Sequence, residues 1–456
     1  MIESQPPVTN TPVENFSTTP ARRFSTNVAL TLASRLLMLA TGLGASIIVA
    51  RWLGADGLGT LSVLNVTVAL AVQLGCAGLP SANTYFISKD SSVAGRAWIN
   101  SLIFGAVAGT LLLLIVVLIS RLSPDVFGDV PLSLVGIAAI SIPFQLIILL
   151  GLNVFIALGR IDRLNVMESV AQLLPFLNAI IILILMRGGL RDLVTVNTIA
   201  VVVISVAIGV MVGRIIRRVG AGALRSDGQL FKTFLRYGSK FHIAVVSGMV
   251  IMRADLLLVN HFRGSGEAGV YAVATQISNL LLLLPAVIGT LLFPRVTSEM
   301  DQSGQTTMRT ARVTALIMLL ICFAAVPISF LLPFLYGAEF SQSTLLLLIL
   351  IPGVYLLGLE AVIVQYFNAT GLPKAVPLFW IVTVGFNVAL NVLFIPGYGA
   401  TAAAVISTFS YALIFVLVAV YFLMKTGSRV TDLFVIQSTD VTELIRRPPH
   451  NPLSQS

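Results

Sequence analysis

Four ionisable side chains stand inside long apolar runs: Arg35, Arg253, Asp255 and Glu360. A charge at the centre of a bilayer costs about 2.5–3.5 kcal/mol on insertion scales, so each needs a partner or a task. A guanidinium grips phosphate oxygens bidentately and stays charged when desolvated, which suits the two arginines to a phosphate group. The same runs hold many amides, among them Asn83, Gln145, Gln276 and Gln365. Amides both donate and accept, as sugar hydroxyls require. Together the eight residues fit a wet, anion-tolerant vestibule.

Each has a second reading. Arg35 is about nine residues into the first run and can snorkel to an interface. Asp255 can form a buried pair with a cation from another run. Arg253 and Asp255 are two residues apart, about 200° around a helix, so they face different surroundings and do not pair directly. Glu360 can bind a substrate cation, carry a coupling proton or pair internally. The amides also serve to bond one helix to the next.

The elements that position these groups follow from composition. Of 456 residues, 57% are hydrophobic and 10% charged, and the mean hydropathy is +0.97. Soluble domains carry roughly 25% charged residues, so this chain cannot coat a water-facing surface. Apolar runs of transmembrane length recur twelve times, the first near 27–50, the seventh near 240–262 and the last near 400–424. Cys76 and Cys322 lie in apolar segments and His242, His261 and His450 are scattered, so neither a disulfide framework nor a metal site is expected. No P-loop, dinucleotide-binding glycines or nucleophile–base set is present.

The formal charge of +9 is topological. With the N-terminus cytoplasmic, about 21 Lys and Arg fall on the inner side and about five on the outer, a clear positive-inside bias. Nucleic acid is therefore not the expected partner; membrane lipids are. The expected organisation is a disordered cytoplasmic tail (1–25), a six-helix lobe (26–213), a basic cytoplasmic linker (214–239), a second six-helix lobe (240–424) and a cytoplasmic tail (425–456).

Two internal echoes support the halves. "VARWLGADGLGTL" (Val49 to Leu61) recurs as "VNHFRGSGEAGVY" (Val259 to Tyr271) at an offset of 210, placing Gly54 on Gly264 and Gly59 on Gly269. "NVFIALGRIDRLN" (Asn153 to Asn165) recurs as "QYFNATGLPKAVP" (Gln365 to Pro377) at an offset of 212. An even number of spans per repeat makes the repeats parallel, related by an axis along the membrane normal, with a central cavity between them. That arrangement belongs to alternating-access transporters.

Over roughly residues 25–425 the chain is similar to the polysaccharide-biosynthesis flippases of the multidrug/oligosaccharidyl-lipid/polysaccharide exporter superfamily. "ARWLGADGLG" resembles the A-R-x-L-G-x-x-x-x-G segment after that family's first helix. "MRADLLLVNHFRGSGEAGVYAVA" resembles its seventh-helix segment, and "YFNATGLPK" its turn after span ten. The resemblance implies an all-α, V-shaped membrane protein of about twelve helices, like the multidrug exporters, in the bacterial inner membrane. It further implies transfer of an undecaprenyl-diphosphate-linked oligosaccharide from the inner to the outer leaflet, with no catalysis. Arg35 would then meet the diphosphate, Arg51 more weakly at the outer mouth. Twelve spans favour the O-antigen, capsule or exopolysaccharide type, working beside a polysaccharide polymerase and chain-length regulators. No cofactor is expected; a proton or sodium gradient is the candidate drive. The rivals are an ion-coupled multidrug exporter, which would want an acidic cavity, and a polymerase or ligase, which would want a large outer loop.

Overall fold

The computed structural model describes residues 21–299, 304–371 and 373–434. The expected N-terminal tail lies outside the described residues as far as residue 20, and a helix already begins at Ala21; the C-terminal tail lies outside them from residue 435. Among the described residues there are helices and turns but no strand.

In chain order the helices are α1 (Ala21–Gly75), α2 (Leu79–Lys89), α3 (Ala94–Leu122), α4 (Leu132–Ala139), α5 (Ser141–Ala157), α6 (Ile161–Ala179) and α7 (Leu190–Val219). The second half has α8 (Gly228–Arg263), α9 (Ser265–Leu281), α10 (Leu283–Glu299), α11 (Gln305–Ser329), α12 (Leu332–Tyr336), α13 (Ser341–Thr370), α14 (Ala375–Thr426) and α15 (Thr431–Phe434).

Among the described residues ten helical stretches are long and apolar enough to cross a membrane, against twelve expected runs. The difference lies in two of them, Leu37–Gly75 with 39 residues and Ala375–Thr426 with 52. Both exceed the roughly 20 residues that one crossing needs. Each contains a glycine outside helical geometry, Gly54 at φ 68° and Gly399 at φ 60°. That left-handed region is open to glycine without a Cβ penalty, so the chain breaks there and each stretch supplies two passes. Among the described residues twelve passes result.

The second expected run, 58–86, is broken: Ala77 and Gly78 take positive φ between α1 and α2, and Pro80 opens α2. At this break Gly78 packs backbone to backbone against Gly238 of α8. The non-helical connector between the halves is also shorter than the basic segment that contains it, because α7 runs to Val219 and α8 starts at Gly228.

Two buried clusters organise the packing. One joins α2, α3, α5 and α7 through Leu79, Trp98, Phe155 and Ile208, and takes Phe234 from the start of α8. The other runs through both parts of α1 and through α9, α13 and α14, and takes Ile251 and Val259 from the far part of α8. α8 thus belongs to both clusters. Its first turns stack on the first repeat, Phe234 on Phe86 and Tyr237 on Tyr85. In lipid such contacts hold by close packing, since the surrounding tails are as apolar as the side chains.

Candidate functional site

The two echoed turns meet at one end of the bundle, here termed the turn end. The opposite end, which carries residues 220–227, is the connector end. At the turn end Gly59 and Gly269 lie against each other's repeats so closely that a Cβ on Gly59 would sit 1.8 Å from the Ser265 carbonyl oxygen. One on Gly269 would sit 2.1 Å from that of Ala55. Only glycine permits this approach.

Around that contact each turn grips the opposite repeat. Arg51 Nε donates to the Leu335 carbonyl at 2.8 Å, and its Nη2 to that of Phe334. His261 Nδ1 bonds the Asp125 carbonyl. The Ala55 N–H donates to Glu339 Oε2 at 3.1 Å, and Gly264 lies against the Asp129 carboxylate. Arg51 and His261, Leu335 and Asp125, and Glu339 and Asp129 are each 210 residues apart. The grip is thus reciprocal, and it obeys the two-fold relation of the repeats.

Further bonds tighten the same end. Ser265 Oγ donates to Asp56 Oδ1 at 3.0 Å, setting a carboxylate beside the N-terminus of α9, where the helix dipole favours it. Asn260 Nδ2 donates to the Phe127 carbonyl at 2.7 Å. Glu267 accepts from Arg263 Nε at 2.8 Å and from the Ala400 N–H at 2.7 Å, tying in the Gly399 break. Deeper in the membrane, Gln276 Nε2 of α9 reaches the Gly42 carbonyl of α1 at 3.4 Å. The two repeats are therefore joined from the turn end down to Gly42.

The arginines lie at two depths, Arg253 level with the Gln276–Gly42 contact and Arg35 beyond it. Along helices that rise about 1.5 Å per residue, Arg253 is about 16 Å from Gly264 and Arg35 about 28 Å from Gly54. Arg253 is exposed, while Asp255 on the same helix is buried at 1% exposure, so the two face apart. Arg35 is exposed, and its Nη2 lies 3.1 Å from Glu168 Oε2 on α6. The sequence does not single out Glu168, which stands close to the polar start of its run; the signal that points to it is Arg35's need for a counter-charge.

The other expected site residues divide. Asp255 receives hydrogen bonds from the Tyr271 hydroxyl of α9, from Ser407 Oγ of α14 at 2.8 Å and from the Leu256 N–H at 2.8 Å. Hydroxyls, and not a cation from another helix, are its partners. Glu360 is 2% exposed, and its Oε1 has no hydrogen-bond partner among the described residues. Asn83 is fully buried, with Nδ2 donating to Ser101 Oγ at 2.9 Å. These three lie inside helix packing, out of reach of a solute in this conformation. Gln145 and Gln365 are half-buried and bond within their own helices, to Ser141 Oγ at 3.4 Å and the Ala361 carbonyl at 3.2 Å. Other amides join separate passes, as Asn178 of α6 does to Asn197 of α7 and, across the Gly399 break within α14, Asn387 to Ser410. No cluster of metal-ligating side chains occurs among the described residues.

Solved structures share this architecture. The chain superposes on the lipid II flippase MurJ in an inward closed conformation with a TM-score of 0.71 at 17% identity, covering 89% of each chain. For an inward-facing multidrug resistance MATE transporter of the MOP superfamily the TM-score is 0.68 at 15% identity, with 88% of this chain and 98% of the other covered. At these identities the likeness is one of fold. In sequence, the chain is 22% identical over 196 residues to the probable low-salt glycan biosynthesis flippase Agl15 of Haloferax volcanii, 42% of each chain. The chain thus spans less than half the length of that curated relative in the match. The sequence profile of one family covers residues 24–300, which include both arginines, both echoed turns and the whole first repeat. This multi-pass membrane protein therefore belongs to the polysaccharide biosynthesis protein family.

Proposed function

We propose that the protein is a flippase that carries a polyprenyl-diphosphate-linked oligosaccharide from the inner to the outer leaflet by alternating access. The observation that carries the reading is the pair of exposed in-span arginines, one from each repeat, with Arg253 level with the inner limit of the joined turn end and Arg35 beyond it on the connector side. A diphosphate cannot cross hydrocarbon unaided, because an unpaired buried charge costs many kcal/mol. Guanidinium groups at two depths give it successive partners while the lipid tail stays in the bilayer. Gln145, Gln276 and Gln365 are the amides still half-exposed and able to meet sugar hydroxyls. The translocation makes and breaks no covalent bond.

The positive-inside bias assigns the connector end to the cytoplasm and the turn end to the outside. The structure then corresponds to a state closed to the outside. The family's name and the flippase relative favour a cell-surface polysaccharide as the product, of the O-antigen, capsule or exopolysaccharide kind. Its downstream partners are then a polymerase and chain-length regulators in the inner membrane. The fold is shared with multidrug exporters, but a cationic drug needs an accessible, unpaired acid; Asp255 and Glu360 are 1% and 2% exposed, and the Glu168 carboxylate is paired with Arg35.

The test is transfer of a labelled lipid-diphosphate oligosaccharide across proteoliposomes. Arg253→Ala is expected to slow transfer by at least tenfold, the factor for losing one charge-assisted contact of about 1.5–3 kcal/mol. Wild-type rates in a normally folded variant would remove Arg253 from the path. Failure of the wild-type protein to transfer the lipid at all would end the flippase reading.

A further inference from the structure

The contact between Arg35 and Glu168 has a use within the proposed function. Arg35 Nη2 and Glu168 Oε2 are 3.1 Å apart, with side-chain exposures of 55% and 24%. The same carboxylate oxygen is buried and accepts no hydrogen bond among the described residues, so the guanidinium is the charge that offsets it. The guanidinium is the more exposed partner. An incoming anion therefore meets an arginine whose charge is already partly answered.

A tethered carboxylate is a resident competitor at high effective concentration. Whatever binds Arg35 must displace it or share the fork with it. A phosphodiester lipid headgroup carries one negative charge. Exchanging the Glu168 carboxylate for it gains little attraction and leaves Glu168 without its counter-charge. A diphosphate brings more charge and more acceptor oxygens to the five N–H donors of the guanidinium, so it outbids the carboxylate. The surrounding bilayer presents anionic phosphodiesters at overwhelming excess over any lipid-linked sugar. An arginine open to all of them would be saturated by bulk lipid.

We propose that Glu168 is a specificity residue: paired with Arg35 at 3.1 Å, it holds this guanidinium closed to single-phosphate membrane lipids and leaves it open to a lipid diphosphate. The inference rests on the flippase reading above. It adds a selection step against the protein's own solvent.

The experiment compares binding of farnesyl diphosphate and of a fluorescent phosphatidylglycerol to the full-length protein in zwitterionic nanodiscs. Glu168→Gln is nearly isosteric and removes only the charge. It is expected to raise phosphatidylglycerol binding relative to diphosphate binding by about two- to fivefold, the range set by a solvent-exposed ion pair. Glu168→Asp, which keeps the charge on a shorter arm, should fall between the two. In an Arg35→Gln background the Glu168→Gln effect should vanish, because the residue acts through the guanidinium. A ratio that stays at the wild-type value in Glu168→Gln, or a shift that persists without Arg35, overturns the inference while leaving the flippase reading intact. A wild-type protein that binds no farnesyl diphosphate overturns both.

Discussion

Arg51 and His261, 210 residues apart, make equivalent bonds: each donates across the turn end to a carbonyl of the other repeat, Leu335 or Asp125, themselves 210 residues apart. The two-fold relation thus extends from sequence spacing to individual hydrogen bonds. Arg51 adds a second donor to the Phe334 carbonyl, and a lysine cannot reproduce that fork.

Arg51→Ala should loosen the turn end. At an exposed site a charge-assisted bond contributes about 1 kcal/mol, so the ratio of closed to open conformers should fall about fivefold. Spin labels at Val126 and Phe334, on opposite repeats, would report this as growth of a longer-distance population. An unchanged distance distribution would deny Arg51 a part in closure.

Gly59 tests the same contact by steric means. A side chain there collides with the Ser265 carbonyl, which is backbone and cannot swing aside. Gly59→Val should disfavour the closed turn end by about 1–3 kcal/mol, the usual cost of overpacking. The Gly269→Val change should do the same, since its Cβ would meet the Ala55 carbonyl. Cysteine-labelling rates at the turn end would rise in both variants; protection equal to wild type in either would contradict the close approach.

Asp255 is a structural anchor in this conformation. Tyr271 and Ser407 both donate to its Oδ2 within a buried site. Asp255→Ala strands two hydroxyls and should cost about 1–3 kcal/mol, whereas Asp255→Asn keeps a carbonyl acceptor and should cost less. Tyr271→Phe should fall between. Thermal unfolding in detergent would rank the three, and a wild-type melting temperature for Asp255→Ala would refute the anchor.

Asp227 gives the pH dependence. It caps α8, accepting from the Leu230 and Gln229 N–H groups at 3.0 and 3.1 Å, and it pairs with Arg96 at 2.9 Å. The Leu230 bond first, and Arg96 after it, hold its carboxyl below the usual carboxylate range. A carboxyl lowered in the folded state adds stability that is present above its unfolded pKa of about 3.9 and lost as pH falls through the folded value. Wild type should therefore lose melting temperature below about pH 4 more steeply than Asp227→Asn. Parallel acid curves for the two proteins would rule out the cap as the source.

The helical class and the repeat were legible because each is written as a period: apolar runs of membrane length, and glycine punctuation returning after 210 residues. The break at Ala77 and Gly78 was not legible in hydropathy, since Gly78 and Pro80 leave the apolar run unbroken by polar residues. Arg253 and Asp255 could be assigned to opposite faces from helical angle alone, and the structure places one exposed and the other buried. What each of them meets depends on the helices packed against α8.

From the sequence alone came the membrane class, the parallel repeats and the arginines that bilayer energetics would otherwise exclude. Those follow from composition and local period, which need no neighbours. Tertiary structure decided that the echoed turns grip one another, that Glu168 answers Arg35, and that Asp255 is held by hydroxyls. Each of these joins residues far apart in the chain, and a linear pattern of side chains carries no record of which distant helix will lie alongside.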